Sequence, residues 1–423
     1  MKRPLVYDIT HVVSRLAITS PTGIDRVDLM FAKHFVGGEP ALATVAHYGF
    51  RRPHVLDANQ ARSIVRMGRE LWEPNDSKRN RLFSRGLDKS IASVTSIRGQ
   101  IDKLLWKVPR LLKIQRLRLR DAPRTHIPKN SIYINVAQHL LEFPVFFKWL
   151  NARPDIAKVF FVHDLLPLDH PEFFPAGYHK RFEKRLRTIL RHATALVVST
   201  ESVARRVEAE LQTRGRSNIP IHIALLPSSI ETSRQDQDAE IELPSAPYFV
   251  MVGTIEPRKN HLLLLHIWRE LAKGPGPVPV LVIVGKPGWE TEQVMDLLSR
   301  CTQIRPHILR LSGLSVFQLR KLLAHARALL MPSFAEGYGL PLVEALGVGT
   351  PVIASDTGVF REVSQNRALF LSPLDGLGWQ AAIKDMTVDG SSLRAEFASR
   401  AAAFRAPSPV EYFDKFEAFL SSL

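Results

Sequence analysis

Short apolar runs rich in Val, Ile and Leu alternate with longer stretches of helical spacing along most of the chain. In the first half the runs are Leu5 to Ile9, Ala43 to Tyr48, Ser131 to Val136, Lys158 to Val162, Ala195 to Ser199 and Ile221 to Leu226. In the second half they are the run opening at Tyr248, Val280 to Val284, Ala328 to Pro332 and Thr350 to Ser355. Most are apolar throughout rather than apolar on alternate residues, as strands buried on both faces are. Val27 to Phe35, His261 to Leu271 and Val316 to Ala326 carry helical spacing between them. Strands that alternate with helices predict an α/β protein built on parallel sheets. In the tail, Val410, Phe413, Phe416 and Leu420 predict one last amphipathic helix. A loop is expected from the first strand to Pro21.

The alternation is interrupted twice. Glu231 to Pro247 is polar and closed by proline, which marks an interdomain linker. The expected domains are therefore 1–235 and 236–406, with 407–423 as a terminal helix. The linker holds Asp236 and Asp238, the only D-x-D in the chain, read as solvated charge. No other carboxylate or histidine cluster has metal-ligand spacing, so no metal is expected. The second interruption is Ala61 to Lys129, read as an insertion. It carries 18 Lys and Arg against 6 Asp and Glu, a net of +12 out of +16 for all 423 residues. Basic residues alternate there with Leu, Ile and Trp106. A solvated face, an anionic membrane surface and nucleic acid compete as readings. No nucleic-acid-binding motif accompanies the charge.

The chain is long enough for two domains. Its single cysteine, Cys301, excludes a disulfide framework and a thiolate-rich metal site. The first residues lack the pattern of a signal peptide, and no run of about 18 apolar residues occurs. A cytoplasmic protein, peripheral on the inner membrane face at most, is expected.

The stretch with the most chemistry is Met331 to Val363. It reads as a strand end, the turn Glu336 to Gly339, a helix opened by Leu340 and Pro341, and a second strand. Proline suits a first helical turn, where its missing N–H costs nothing. The amides of Gly337, Tyr338, Gly339 and Leu340 are free there, and the helix dipole favours a phosphate. Glu336 in the turn and Glu344, expected on the first helical turn, cannot bind phosphate themselves, so they suit sugar hydroxyls on either side of it. Arg258 and Lys259 stand where another strand meets a helix, and can neutralise a diphosphate. Asn260 is expected to cap that helix. His163 and Asp164 follow a buried strand at the edge where open α/β sheets bind ligands.

These strings resemble the retaining GT-B glycosyltransferases of the bacterial mannosyl- and glucosyl-transferase type (family 4, group 1). Pro332, Ser333, Glu336, Gly337, Gly339, Leu340, Glu344 and Ala345 match P-S-x-x-E-G-x-G-L-x-x-x-E-A. His163 and Asp164 match H-D-x-x-P; Gly253, Thr254, Arg258 and Lys259 lie in the donor-phosphate motif; Gly313 and Leu314 match a base-contacting pair. Gly23 and Arg26 match the first glycine loop, although Thr22 replaces one glycine. The resemblance implies two Rossmann-like domains facing across a cleft, with the last helix crossing back to the first domain. It implies a nucleotide-sugar donor on the second domain, with Glu336 on the sugar and Glu344 on the ribose. The acceptor, a glycan or a polyprenyl-diphosphate-linked glycan, falls to the first domain, with Gly23 and Arg26. Glu336, His163 and Asp164 are the candidate catalytic residues. GDP-mannose and surface-polysaccharide assembly are the first expectation, with no cofactor besides the donor. The rivals are a nucleotide-sugar epimerase, a glucan phosphorylase and a non-catalytic basic protein on this scaffold.

Overall fold

The computed structural model describes residues 3–16, 21–37, 43–46, 53–73, 126–228 and 241–423. Two sheets organise it. The first runs β1 (Leu5–Asp8), β2 (Ala43–Ala46), β3 (His54–Leu56), β4 (Ile132–Asn135), β5 (Ala157–Phe161), β6 (Ala195–Val198) and β7 (Ile221–Ile223). The second runs β8 (Tyr248–Val252), β9 (Val280–Val284), β10 (Ile308–Leu311), β11 (Leu329–Met331), β12 (Val352–Ser355) and β13 (Leu369–Leu371). Their spatial orders are β3-β2-β1-β4-β5-β6-β7 and β10-β9-β8-β11-β12-β13. Both contain the 3-2-1-4-5-6 order of the doubly wound fold, which reverses next to its first strand and opens a ligand crevice there. Every pairing is parallel except β2 with β3. That antiparallel edge strand, three residues long, was not expected from the sequence.

The helices of the first half are α1 (Thr10–Arg15), α2 (Gly23–Gly37), α3 (Ala58–Trp72), α4 (Leu166–Asp169), α5 (Tyr178–His192) and α6 (Glu201–Thr213). Those of the second are α7 (His261–Leu271), α8 (Glu292–Arg300), α9 (Val316–Ala324), α10 (Leu340–Gly347), α11 (Gly358–Val363), α12 (Gly376–Thr387), α13 (Ser392–Ala402) and α14 (Pro409–Ser421). Three expectations need correction here. The stretch after β1 is not all loop, because Thr10–Arg15 forms α1. The segment 61–129 is not an insertion from its first residue. Ala61, Ile64, Val65, Leu71 and Trp72 are the buried face of α3, a regular helix of the domain, opened by an Asp57–Gln60 capping box. The rest of the basic run, 74–125, lies outside the described residues, as do Asp236, Asp238 and the expected boundary at 235. Asn260 precedes α7, but its side chain caps nothing. Its backbone is left-handed, and its Nδ2 donates to the carbonyls of Pro332 and Pro373.

The apolar core has three layers: one on the outer face of each sheet, and one that runs continuously between the domains. The terminal helix α14 belongs to the middle layer. Its Tyr412, Phe413 and Phe416 pack edge-on against Phe31 of α2, and Phe413 stacks on His34 at 3.8 Å. His34 also meets Glu417 at 2.8 Å. The chain thus ends on the domain where it began. Phe416 is 1% exposed. Phe416→Ala is expected to cost about 3–5 kcal/mol, as deletion of a buried aromatic ring does. Urea unfolding measures this, and a loss under about 1 kcal/mol would mean that α14 contributes little to the first domain.

Candidate active site

The C-terminal ends of both sheets face one cleft, and a cavity of about 790 Å³ lies there. It is lined by Gly23 and Arg26 from the start of α2, and by His163 and Asp164 beyond β5. From the second domain come Gly253, Thr254, Arg258, Lys259, Gly313, Leu314, Glu336, Gly337, Tyr338, Gly339 and Leu340. Only Glu344 of the residues expected in the site is missing from the lining. It lies in the second turn of α10, fully buried, and its Oε1 is 2.7 Å from Arg26 Nη2. The carboxylate expected to hold the ribose is thus paired with Arg26 in this structure. The glutamate points inward because α10 buries the face that also carries Leu342, Val343, Ala345 and Leu346.

A compact charge cluster occupies the second-domain wall. Glu336 Oε2 lies 2.6 Å from Arg258 Nη1, while Oε1 takes Lys259 Nζ and, at 2.9 Å, the Ser333 hydroxyl. Arg258 Nη2 also reaches Glu256 at 2.6 Å. Burial alone would raise the Glu336 carboxyl, but the charges of Arg258 and Lys259 overcome it and hold the group down at about 2. Glu336 is therefore an ionised, acceptor-only group at neutral pH. Two cations and two carboxylates make the cluster nearly neutral, so further negative charge there needs other donors. Arg258 Nε is buried and has no hydrogen-bond partner.

The turn that follows supplies backbone donors. Gly339 has φ +97°, which a side chain would resist, and its αL geometry lets the chain enter α10 at Leu340. Gly337 is needed for a different reason. A Cβ there would sit 2.7 Å from Asp164 Oδ2 and 3.0 Å from the His163 carbonyl oxygen. The two domains thus touch at this glycine, and any larger residue would wedge them apart.

On the first-domain wall, His163 stacks on Phe161 with ring centroids 4.5 Å apart. Its Nε2 is 2.9 Å from the Val136 carbonyl, so Nε2 carries the proton and Nδ1 is an acceptor. Burial lowers this imidazole to about 4, against the weaker raising effect of that hydrogen bond. Asp164 lies two residues before the short α4, with Oδ1 accepting from the Leu166 amide at 3.1 Å. Burial raises its carboxyl, opposed by the charge of Arg258.

Sequence reasoning missed several residues. Arg15 lines the cavity and is gripped in a fork by Asp25 at 2.9 Å on both nitrogens. Burial would raise the Asp25 carboxyl, but His11, Arg15 and the Thr22 amide hold it well below the usual carboxylate range. Thr22 also donates its hydroxyl to Asp25, which ties down the residue found where a glycine was expected. Lys286, Gln138 and Glu256 also line the cavity. Of these only Glu256 had a visible signal, lying two residues before Arg258.

Residues 233–402 match the family described as "Glycosyl transferases group 1". The chain is 35% identical over 228 residues to the serotype-specific mannosyltransferase WbdA of Escherichia coli, covering 50% of this chain and 28% of that one. It is 29% identical over 234 residues to the O-antigen chain mannosyltransferase RfbU of Salmonella typhimurium, covering 53% and 59%. The match therefore spans less than two thirds of either relative. Two solved structures align over the whole of both chains at a TM-score of 0.60 each. They are Anabaena HepE in complex with UDP and glucose, at 16% identity, and sucrose-phosphate synthase from Thermosynechococcus elongatus, at 15%. No group of three or more His, Cys, Asp or Glu among the described residues is placed to hold a metal. Nor is any helix among them long and apolar enough to cross a membrane.

The buried histidines make stability depend on pH. His139, His163 and His192 are each lowered to about 4, chiefly by burial, from an ordinary 6.5. Their folded values are depressed, so the stability they carry is complete above about 6.5 and lost as pH falls through about 4. The thermal midpoint is expected to fall over that window. His163→Gln, which can still donate to Val136, should flatten part of the fall in a fluorimetric scan. An unchanged slope would mean that His163 is not held neutral. The paired doubly wound sheets and the whole-chain alignment with two solved structures show the GT-B fold, within which residues 233–402 match the family of group 1 glycosyl transferases.

Proposed function

We propose that the chain transfers a hexose from a nucleotide-sugar to a glycan acceptor, with retention of anomeric configuration, in surface-polysaccharide assembly. The observation that carries this reading is the single cleft itself. Residues from both domains, far apart in sequence, meet there around an ionised carboxylate and a glycine-bounded helix N-terminus. The kinship with mannosyltransferases supports mannose as the sugar and favours transfer over epimerisation. GDP-mannose is the first donor to test, and UDP-sugars come next because a HepE structure holds UDP-glucose.

As the bond from C1 to the diphosphate oxygen breaks, the electron pair stays on the leaving group. The amides of Gly337, Tyr338, Gly339 and Leu340, with the dipole of α10, would meet that charge. Arg258 adds its Nε donor, and Lys259 a charge shared with Glu336. Ionised Glu336, held by Arg258, Lys259 and Ser333, would accept hydrogen bonds from donor sugar hydroxyls. Neutral His163 offers Nδ1 as an acceptor and is no proton source at neutral pH. The acceptor hydroxyl would enter from the first-domain side, past Gly23, Arg26 and Arg15, form the new bond to C1 and pass its proton to the departing diphosphate oxygen. The basic run between 74 and 125 suits an acceptor at an anionic membrane surface, such as a polyprenyl-diphosphate-linked glycan.

The reading has direct tests. A thermal-shift screen with GDP-, UDP-, dTDP- and ADP-sugars should single out one donor, which at about a hundred times its Kd adds about 2.7 kcal/mol. No shift with any of them would sink the reading. Glu336→Gln and Lys259→Ala should each lower kcat/KM by about 10- to 100-fold, the worth of a charged hydrogen bond of about 1.5–3 kcal/mol. Wild-type kinetics in either variant would remove that residue from the site. Transfer is expected to survive excess EDTA; loss restored by Mg²⁺ would point to a cation that the site as described does not provide for. Binding to anionic liposomes is expected and should fall with salt; indifference to liposomes at low salt would leave the basic run as a solvated face.

A further inference from the structure

Arg26 and Glu344 belong to opposite domains, and they form an ion pair at 2.7 Å with the carboxylate wholly buried and the guanidinium 19% exposed. Arg26 lines the cavity, whereas Glu344 lies behind it. The start of α2 is set directly on the start of α10: a Cβ on Gly23 would be 3.5 Å from Leu340 Cδ1. Arg26 is itself anchored in the first turn of α2, where its amide donates to the Thr22 carbonyl at 3.1 Å. A short, buried pair of this kind resists loss of one partner, because the remaining charge would stay buried.

We infer that Arg26 is an internal competitor for the nucleotide ribose: it satisfies Glu344 while the donor site is empty and must leave it when a ribose arrives. The inference rests on the donor-site reading given above. The ribose diol offers two O–H donors, and a guanidinium offers a fork of N–H donors to the same carboxylate. Glu344 has no exposed surface and lines none of the cavity, so a ribose reaches the carboxylate only if Arg26, which does line it, gives way. Donor arrival would then open an interdomain lock. Because Arg26 belongs to the same helix start as Gly23, the event is felt on the acceptor side. Arg26 is thus a positioning residue that links the two substrates.

The test is calorimetric titration of the purified chain with the nucleoside diphosphate selected by the donor screen, and with its 2′,3′-dideoxy counterpart. In the wild-type protein the ribose contact is partly cancelled by displacement of Arg26, so the preference for ribose should be small. In Arg26→Gln the ribose nucleotide should bind about tenfold tighter, which corresponds to about 1.4 kcal/mol, while the dideoxy form changes little. Equal weakening of both forms would instead make Arg26 a direct phosphate contact and overturn the inference. If neither form nor any other nucleoside diphosphate binds the wild-type chain, the donor-site reading itself falls. A second measurement needs no variant. Hydrogen exchange of the first turn of α2, residues 23–27, should be faster with the ribose nucleotide than with the dideoxy form. Identical exchange with both, at saturation, would also overturn the inference.

Discussion

The cleft depends on one carboxylate that cannot be buried alone. Glu336 lies in the turn between β11 and α10 with two cations and a hydroxyl around it, and removing any one partner leaves a largely buried charge short of compensation. That requirement fixes Arg258 and Lys259, which come from the turn between β8 and α7. It thereby sets the distance between the two loops that open at the switch point of the second sheet. It also explains Gly253, because a Cβ there would press on Lys259 Cε at 3.3 Å. One buried charge thus orders the second-domain wall.

The relation of the two domains follows from a small number of cross-contacts around that wall. Gly337 meets Asp164, Arg26 meets Glu344, and the Tyr338 hydroxyl donates to the Leu226 carbonyl at 2.6 Å. At the far side, the Glu362 carboxylate accepts from the amides of Glu201 at 2.7 Å and Ser202 at 3.2 Å, at the start of α6. Phe173 stacks on Phe334 between them. Most of these are single polar contacts rather than broad apolar packing. Polar contacts can be exchanged for ligand contacts at little net cost. The apolar middle layer with α14 joins the domains independently of them.

The sequence was most legible where residue type itself carries a constraint. Glycine at 337 and 339, proline at 341 and the glutamate at 336 each admit few structural roles, so the turn before α10 could be read without coordinates. Long apolar runs such as Val280 to Val284 gave their strands directly. What stayed hidden is short or distant. The three-residue β3 and β13 and the six-residue α1 lack the length for a period to show. Asn260 was misread because a tertiary demand, the carbonyls of Pro332 and Pro373, won over local capping propensity. The pairing of Arg26 with Glu344, and of Arg15 with Asp25, arises from how the helices are packed. Nothing in either residue's neighbourhood along the chain announces it.

A crystal structure of the chain grown with the nucleoside diphosphate chosen by the donor screen tests the central claim most directly. The diphosphate oxygens are expected within hydrogen-bond distance of the Gly337 to Leu340 amides and of Arg258 or Lys259, in the cleft between the two sheets. A diphosphate bound elsewhere, with those amides and side chains untouched, would contradict the account.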